Sequence, residues 1–265
     1  FGTVPFIGPD IAEWLRGDYL TSDATLNRFF AFHVIALPLV ILGLVAAHIL
    51  ALHEVGSNNP DGVEIKKLKD KKTGIPLDGI PFHPYYTVKD MVGVVVFLIV
   101  FAVIIFFAPE VGGYFLEANN FVPADPLVTP AHIAPTWYFT PYYSILRAVP
   151  PIGISQFPGV AAMGLAVLAF AFLPWLDRSS VKSIRYKGNL YKGWLAAFVV
   201  SFIVLGYLGT VPANVWGQFG DWLGKADIAT VVARVFTVIY FAFFILMPWY
   251  TKKDKTKPVP ERVTG

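Results

Sequence analysis

Residues 24–52 read ATLNRFFAFHVIALPLVILGLVAAHILAL, an apolar run broken only by Asn27, Arg28, two histidines and Pro38. A helix crosses a bilayer with ~20 mostly apolar residues, so this stretch is predicted to span a membrane. Four further runs, 91–108, 159–176, 193–211 and about 226–250, come near the same requirement, and 91–108 carries no charge. None of them alternates as a barrel strand would, and a helix satisfies its own backbone groups inside hydrocarbon. The implied fold class is an all-α membrane protein with five transmembrane helices.

Composition agrees. Hydrophobic residues make up 55% of the chain, with 23 Phe and 7 Trp, a balance that would leave a soluble domain with large apolar patches in water. The absence of cysteine excludes c-type haem attachment, thiolate-held iron–sulfur clusters, disulfides and dithiol redox motifs within this chain. The net charge of +3 raises the question of nucleic acid. Its basic residues are sorted by membrane side rather than gathered into a patch among exposed aromatics, so no nucleic-acid partner is expected. The chain opens on Phe1 with no signal sequence, and is expected to begin within a longer protein.

With five spans, the connections alternate sides. Sixteen of the 21 Lys and Arg residues fall in the 53–90 segment, the 177–192 loop and the tail. By the positive-inside rule those segments are expected in the cytoplasm. The amino terminus, the 109–158 connection and the 209–225 loop then face the positive side. The 109–158 connection is rich in Pro, Tyr and Trp, and long connections with their own structure are commonly functional. A short amphipathic helix is expected over residues 144–149. The alternative for its aromatics is a belt at headgroup depth.

His33 and His48 lie within the first span, and a ligating group at membrane depth is a functional hypothesis by default. Fifteen residues of helix advance ~22 Å and leave the two ~60° apart about the axis, too far apart to share a metal ion. Two centres stacked at different depths fit this spacing. Gly43 between them would admit a flat ring close to the backbone. Pro38 can kink the span and loosen the angular figure. The alternative is two histidines hydrogen-bonded to neighbouring helices. The remaining histidines, His53, His83 and His132, fall in the connections, so no second pair completes bis-histidine ligation.

Four separated motifs, in order along nearly the whole chain, carry a family resemblance. They are Arg28-Phe29-Phe30-Ala31-Phe32-His33, His53-Glu54-Val55-Gly56-Ser57-Asn58-Asn59-Pro60, Pro81-Phe82-His83-Pro84-Tyr85-Tyr86-Thr87-Val88-Lys89-Asp90, and Pro135-Thr136-Trp137-Tyr138 through Ile145-Leu146-Arg147. Together they resemble cytochrome b of the cytochrome bc complex, proteobacterial type. The resemblance implies helices D to H of an eight-helix protein. Residues 1–53 would end the haem-binding amino-terminal domain with a short surface helix and helix D. Residues 54–90 would form a cytoplasmic loop with the quinone-reducing site, and 91–265 the carboxy-terminal domain with the quinol-oxidising loop 109–158.

The resemblance further implies two b-type haems, with His33 an axial ligand of the low-potential haem and His48 of the high-potential haem. Their second ligands would come from the missing amino-terminal part, helices A to C. His53, Ser57, Phe82, Lys89 and Asp90 match the quinone-reducing pocket, where an imidazole and a carboxylate can deliver the two protons that ubiquinone needs. Read alone, Lys89-Asp90 is an ordinary charged helix start. Ile133, Pro135, Thr136, Tyr138, Phe139 and Tyr143 match the quinol-oxidising pocket. Thr136 stands where the family's commonest pattern has Glu, and a hydroxyl can orient a hydrogen bond but cannot serve as a base near neutral pH. His132 or a residue of the amino-terminal part is the candidate proton acceptor. The His33 to His48 interval is one residue wider than in mitochondrial relatives.

The expected function is the cytochrome b subunit of a respiratory quinol–cytochrome c oxidoreductase in a bacterial inner membrane, coupled to proton translocation. A Rieske iron–sulfur protein, cytochrome c1, the lipid bilayer and a second copy of the complex are the implied partners. Two readings from other classes remain open: a transporter whose histidines line a proton path, although no internal repeat is evident, and a haem-free structural or assembly subunit.

Overall fold

A computed structural model describes residues 1–116, 118–123, 125, 127–128, 130, 133–218 and 227–263. Among these every extended element is helical, with three isolated bridges between loop residues. Helix α1 (Gly8–Arg16) has Pro9 and Asp10 in its first turn and Arg16 in its last, and it stops at Gly17 with φ 83°. Proline early, glycine late and charges opposing the helix dipole are the usual helix punctuation. Helix α2 (Asp23–Ala31) runs into a five-residue π turn (Phe32–Ala36) and then into α3 (Leu37–Val55). The Arg28 guanidinium donates to the Trp14 carbonyl, and the Thr25 hydroxyl to Arg16 O at 2.9 Å. These bonds hold α1 across the start of this span.

Five helical segments are long and apolar enough to cross a membrane: Asp23–Val55, Tyr85–Phe107, Phe157–Leu176, Asn189–Thr210 and Ile228–Ile245. They match the five predicted runs. Tyr85–Phe107 is α4. Phe157–Leu176 is α6 (Phe157–Leu168) and α7 (Leu173–Leu176) joined by a 3-10 turn. Asn189–Thr210 is α8, and Ile228–Ile245 is α9. The last span is shorter than expected. It breaks at Leu246, and α10 (Met247–Lys253) continues with Pro248 in its first turn, where proline removes the bond to the carbonyl four residues back. The expected start near position 226 lies outside the described residues.

The expected short helix over 144–149 is α5 (Thr140–Ala148), and it begins four residues earlier. Thr140, Pro141, Ser144, Ile145 and Ala148 are buried along one face. That face packs on α6, α8 and α9. Two glycines make the seat. A side chain at Gly209 would collide with the Thr140 backbone carbonyl, and one at Gly159 with the Leu146 carbonyl. Arg147 donates to Val211 O at 2.9 Å and Leu208 O at 3.2 Å, and Arg234 to Ala148 O at 3.0 Å. Cationic donors thus meet carbonyls at the ends of α8 and α5, where the helix dipole is negative. Below them Phe198, Tyr240, Phe243 and Phe244 interlock with ring centroids 4.5–5.5 Å apart, within the range of favourable aromatic pairs. The Tyr240 hydroxyl is satisfied by Ala166 O.

Helices α3 and α4 differ from this bundle. None of the residues in their most apolar windows is buried, and neither packs extensively on α5 to α9.

At the opposite end from α5, the three lysine-rich segments come together. Asp61 is 1% exposed and accepts from Arg185 at 3.0 Å and the Tyr186 hydroxyl at 2.9 Å. Asp254 accepts from the first N–H groups of α8, Gly188 at 2.6 Å and Tyr191 at 3.4 Å. Arg262 donates twice to Asp78, at 2.6 and 2.9 Å. These ties place the 53–90 segment, the 177–192 loop and the tail on one side, as the charge sorting requires.

Both the glycine seat and the tail clasp are open to test. Gly209→Ala should lower the stability of the assembled protein by about 1–3 kcal/mol, because an added methyl must push backbone apart rather than a flexible side chain. Thermal denaturation of the detergent-purified complex measures it. The hydrogen bond from Arg262, ahead of the opposing cost of burial, holds the Asp78 carboxyl below its ordinary value. The clasp is then complete above the ordinary carboxylate range and is lost as pH falls through the lowered value. At neutral pH, Asp78→Asn should free the tail to proteolysis faster than in the parent protein.

Candidate functional site

His33 sits inside the π turn and His48 in the third turn from the end of α3. Both are exposed, and neither ring has a hydrogen-bond partner among the described residues. Between them, a side chain at Gly43 would meet nothing within 4 Å, so a flat group could lie against the helix there. No three His, Asp or Glu side chains gather among the described residues. A lone imidazole at each position would suit a group that brings further donors of its own, as a porphyrin does.

On the α5 side, Thr136 precedes a 3-10 turn, Trp137–Phe139, closed by the Phe139 N–H on Thr136 O at 2.8 Å. The turn arises because Pro135 and Pro141 bracket it and Thr140 caps back onto Trp137 O at 2.7 Å. It delivers an aromatic ladder: Tyr114 stacks on Trp137 at 5.9 Å, Trp137 meets Tyr138 edge-on at 5.5 Å, and Tyr138 leans on Phe139 at 4.8 Å. A cavity of about 450 Å³ opens beside it, walled by Tyr114, Trp137, Tyr138, Thr140 and Pro141 on one side. Phe202, Ile203, Gly206, Tyr207 and Thr210 of α8 wall the other. Its size and aromatic lining fit a flat apolar ligand with a few polar contacts.

Of the residues predicted for quinol oxidation, Tyr138 lines this cavity. Ile133, Pro135, Thr136, Phe139 and Tyr143 are not among its lining residues; Thr136 and Phe139 are exposed, and the Arg147 guanidinium lies 5.3 Å from the Tyr143 ring. The α8 wall was not predicted. Gly206 and Tyr207 read as ordinary span residues, and only the packing of α5 on α8 brings them to the loop. His132, the candidate proton acceptor, lies outside the described residues.

The residues predicted for quinone reduction are not gathered into one pocket. His53 ends α3 and Ser57 follows it, whereas Phe82 precedes α4 and Lys89 and Asp90 occupy its second turn. All five are exposed. Locally, Phe82 stacks on Tyr86 at 6.0 Å and the Lys89 ammonium lies 6.0 Å from the Tyr86 ring. No hydrogen bond or ion pair joins the His53 and Asp90 ends among the described residues. A second cavity, about 460 Å³, lies between α1 and the π turn and is lined by Trp14, Leu15, Arg28, Ala31, Phe32, Ile35 and Ala36.

Comparison with known proteins bears on these groupings. A family model described as cytochrome b (N-terminal)/b6/petB matches residues 1–114, and one described as cytochrome b (C-terminal)/b6/petD matches 123–241. Cytochrome b of Allochromatium vinosum is 58% identical over all of this chain and 62% of that protein. Cytochrome b of Rickettsia bellii is 41% identical over 99% of this chain and 59% of its own length. A chain of a hyperthermophilic respiratory Complex III superposes with a TM-score of 0.76 at 34% identity, over 94% of this chain and 57% of that one. The chain thus spans about three fifths of the length of the curated relatives it matches. With both family models matched in order, five apolar helices and the two lone histidines on the first of them, the chain belongs to the cytochrome b family.

Proposed function

We propose that the chain is the carboxy-terminal part of the cytochrome b subunit of a respiratory quinol–cytochrome c oxidoreductase in a bacterial inner membrane. The carrying observation is the pair of unpartnered imidazoles on one span at two depths, with an open glycine between them. His33 and His48 would each hold a b-type haem, with the second ligands supplied by helices A to C. Haem bound there supplies one-electron redox chemistry at two levels of the membrane. Splitting the two electrons of a quinol between an outward partner and this inward path moves charge across the low-dielectric layer, which is what couples the reaction to the membrane potential.

Quinol binds in the cavity between the Trp137–Phe139 turn and α8, where the aromatic ladder holds a flat ring and excludes water. Thr136 can orient a quinol hydroxyl but not accept its proton, so the proton leaves through another group. At the cytoplasmic end His53 and Asp90 deliver protons to ubiquinone, with Ser57, Phe82 and Lys89 completing that pocket once the amino-terminal helices bring α3 and α4 together. A Rieske iron–sulfur protein, cytochrome c1 and a second copy of the complex are the proposed partners.

In the full-length complex, His33→Leu and His48→Leu should each remove one b-type band from the reduced-minus-oxidised spectrum and lower quinol–cytochrome c reductase activity ~100-fold or more, at or beyond the 10–100-fold typical of merely supporting residues. A spectrum unchanged by both substitutions defeats the haem reading and favours a transporter or structural subunit. Thr136→Glu should move the rising limb of quinol oxidation toward lower pH by about one unit, as a carboxylate takes over as base. An identical profile would show that proton acceptance at position 136 is not limiting.

A further inference from the structure

The cavity beside the Trp137–Phe139 turn lies between two stacked aromatic pairs. On the loop wall the Tyr114 and Trp137 rings are 5.9 Å apart at 22°, and both line the cavity. On the α8 wall Tyr207 lines it, and the Trp216 ring stacks on Tyr207 at 6.1 Å and 24° without being a lining residue itself. Tyr207 is 51% exposed and Trp216 42%, so this second pair is no part of the buried core. A tyrosine on an exposed helix face has several staggered rotamers open to it. A large ring packed against it takes that freedom away.

The backbone around Trp216 is tied on both sides. Arg147 of α5 donates to Val211 O at 2.9 Å, where the chain leaves α8. Two turns follow, closed by the Val215 N–H on Pro212 O at 3.2 Å and the Gly217 N–H on Asn214 O at 2.9 Å. Gly217 has φ 77°, a left-handed conformation that glycine adopts without strain. The Ile228 N–H then bonds to Gly217 O at 3.1 Å, and Gln218 Nε2 donates to the Asp227 carboxylate at 3.1 Å. Trp216 is thus fixed between the end of α8 and the start of α9. A tryptophan that serves only as a headgroup anchor needs no such fixing, because any orientation at the interface suffices.

We infer that Trp216 is a positioning residue for quinol binding, holding the Tyr207 ring as the α8 side of the cavity opposite the Tyr114–Trp137 pair. The inference rests on the quinol reading proposed above. Trp216 acts through Tyr207, whose ring is ordered before a ligand arrives, so binding does not carry that ordering cost. Loss of Trp216 then weakens ground state and transition state alike, which raises KM and keeps kcat.

The test uses the full-length complex, with a short-chain ubiquinol and cytochrome c as substrates. Trp216→Ala and Tyr207→Ala should each raise KM for the quinol ~3–10-fold, the range that loss of one aromatic pair gives, with kcat held within about twofold. Trp216→Phe should recover most of the loss. The double variant should be no worse than Tyr207→Ala alone, as expected when one residue acts through the other. A KM untouched by Trp216→Ala, or effects that multiply in the double variant, overturns the inference. If Trp216→Ala does not assemble, a cryo-EM map of the parent complex decides: the Trp216 ring on Tyr207 supports it, and the two rings apart overturn it. Ile203→Trp, which would fill the cavity from α8, probes the reading beneath. An unchanged KM there sinks quinol binding in this cavity, whatever Trp216 does.

Discussion

A backbone surrounded by hydrocarbon must hydrogen-bond to itself, and each spanning element here obeys that constraint except at places where proline has already broken it. The π turn at Phe32–Ala36 comes just before Pro38, the 3-10 turn of the third span just before Pro174, and the break at Leu246 just before Pro248. Departures from regular helix are thus concentrated where a rung is missing. They precede the stretch of α3 that carries His48, the short α7, and the aromatic α10. Elsewhere the spans stay regular, so side-chain position can be reckoned from residue number.

The chain divides by how its apolar surface is covered. Helices α5 to α9 bury theirs against one another, with glycine at the closest approaches and aromatic rings filling the centre. Along α3 and α4 the apolar residues stay exposed. That contrast runs parallel to the proposed roles. The cavity proposed for quinol has its α8 wall in the packed part, whereas the residues proposed for haem ligation and quinone reduction lie on or beside the unpacked helices.

Much of this was legible in sequence, for identifiable reasons. Spans are written in uninterrupted apolarity, and sidedness in the distribution of lysine, a property that survives ignorance of every contact. The Asp61–Arg185 and Asp78–Arg262 pairs then bear out the shared side that charge alone implied. Long-range packing was not legible. Gly209 and Gly206 look like any small residue in a span until α5 is laid on them, and α5 itself read as an interfacial segment because its aromatic half hides the buried stripe of Thr140, Ser144, Ile145 and Ala148. The π turn also escaped, since helical periodicity carries no mark of where a turn widens. Its one signal was indirect, the nearby Pro38. The residues expected to reduce quinone were picked out by motif, and the described structure leaves them on separate helix ends.

The shared wall between α5 and α8 has a consequence for how such a pocket can diverge. Phe202, Gly206 and Thr210 line the cavity on the same helix whose neighbouring positions lock the bundle, so reshaping that wall loosens the scaffold. Tyr114, Trp137 and Tyr138 carry no comparable structural burden. Natural variation in ligand preference, and escape from pocket-directed inhibitors, should therefore accumulate on the loop wall and spare the helical one.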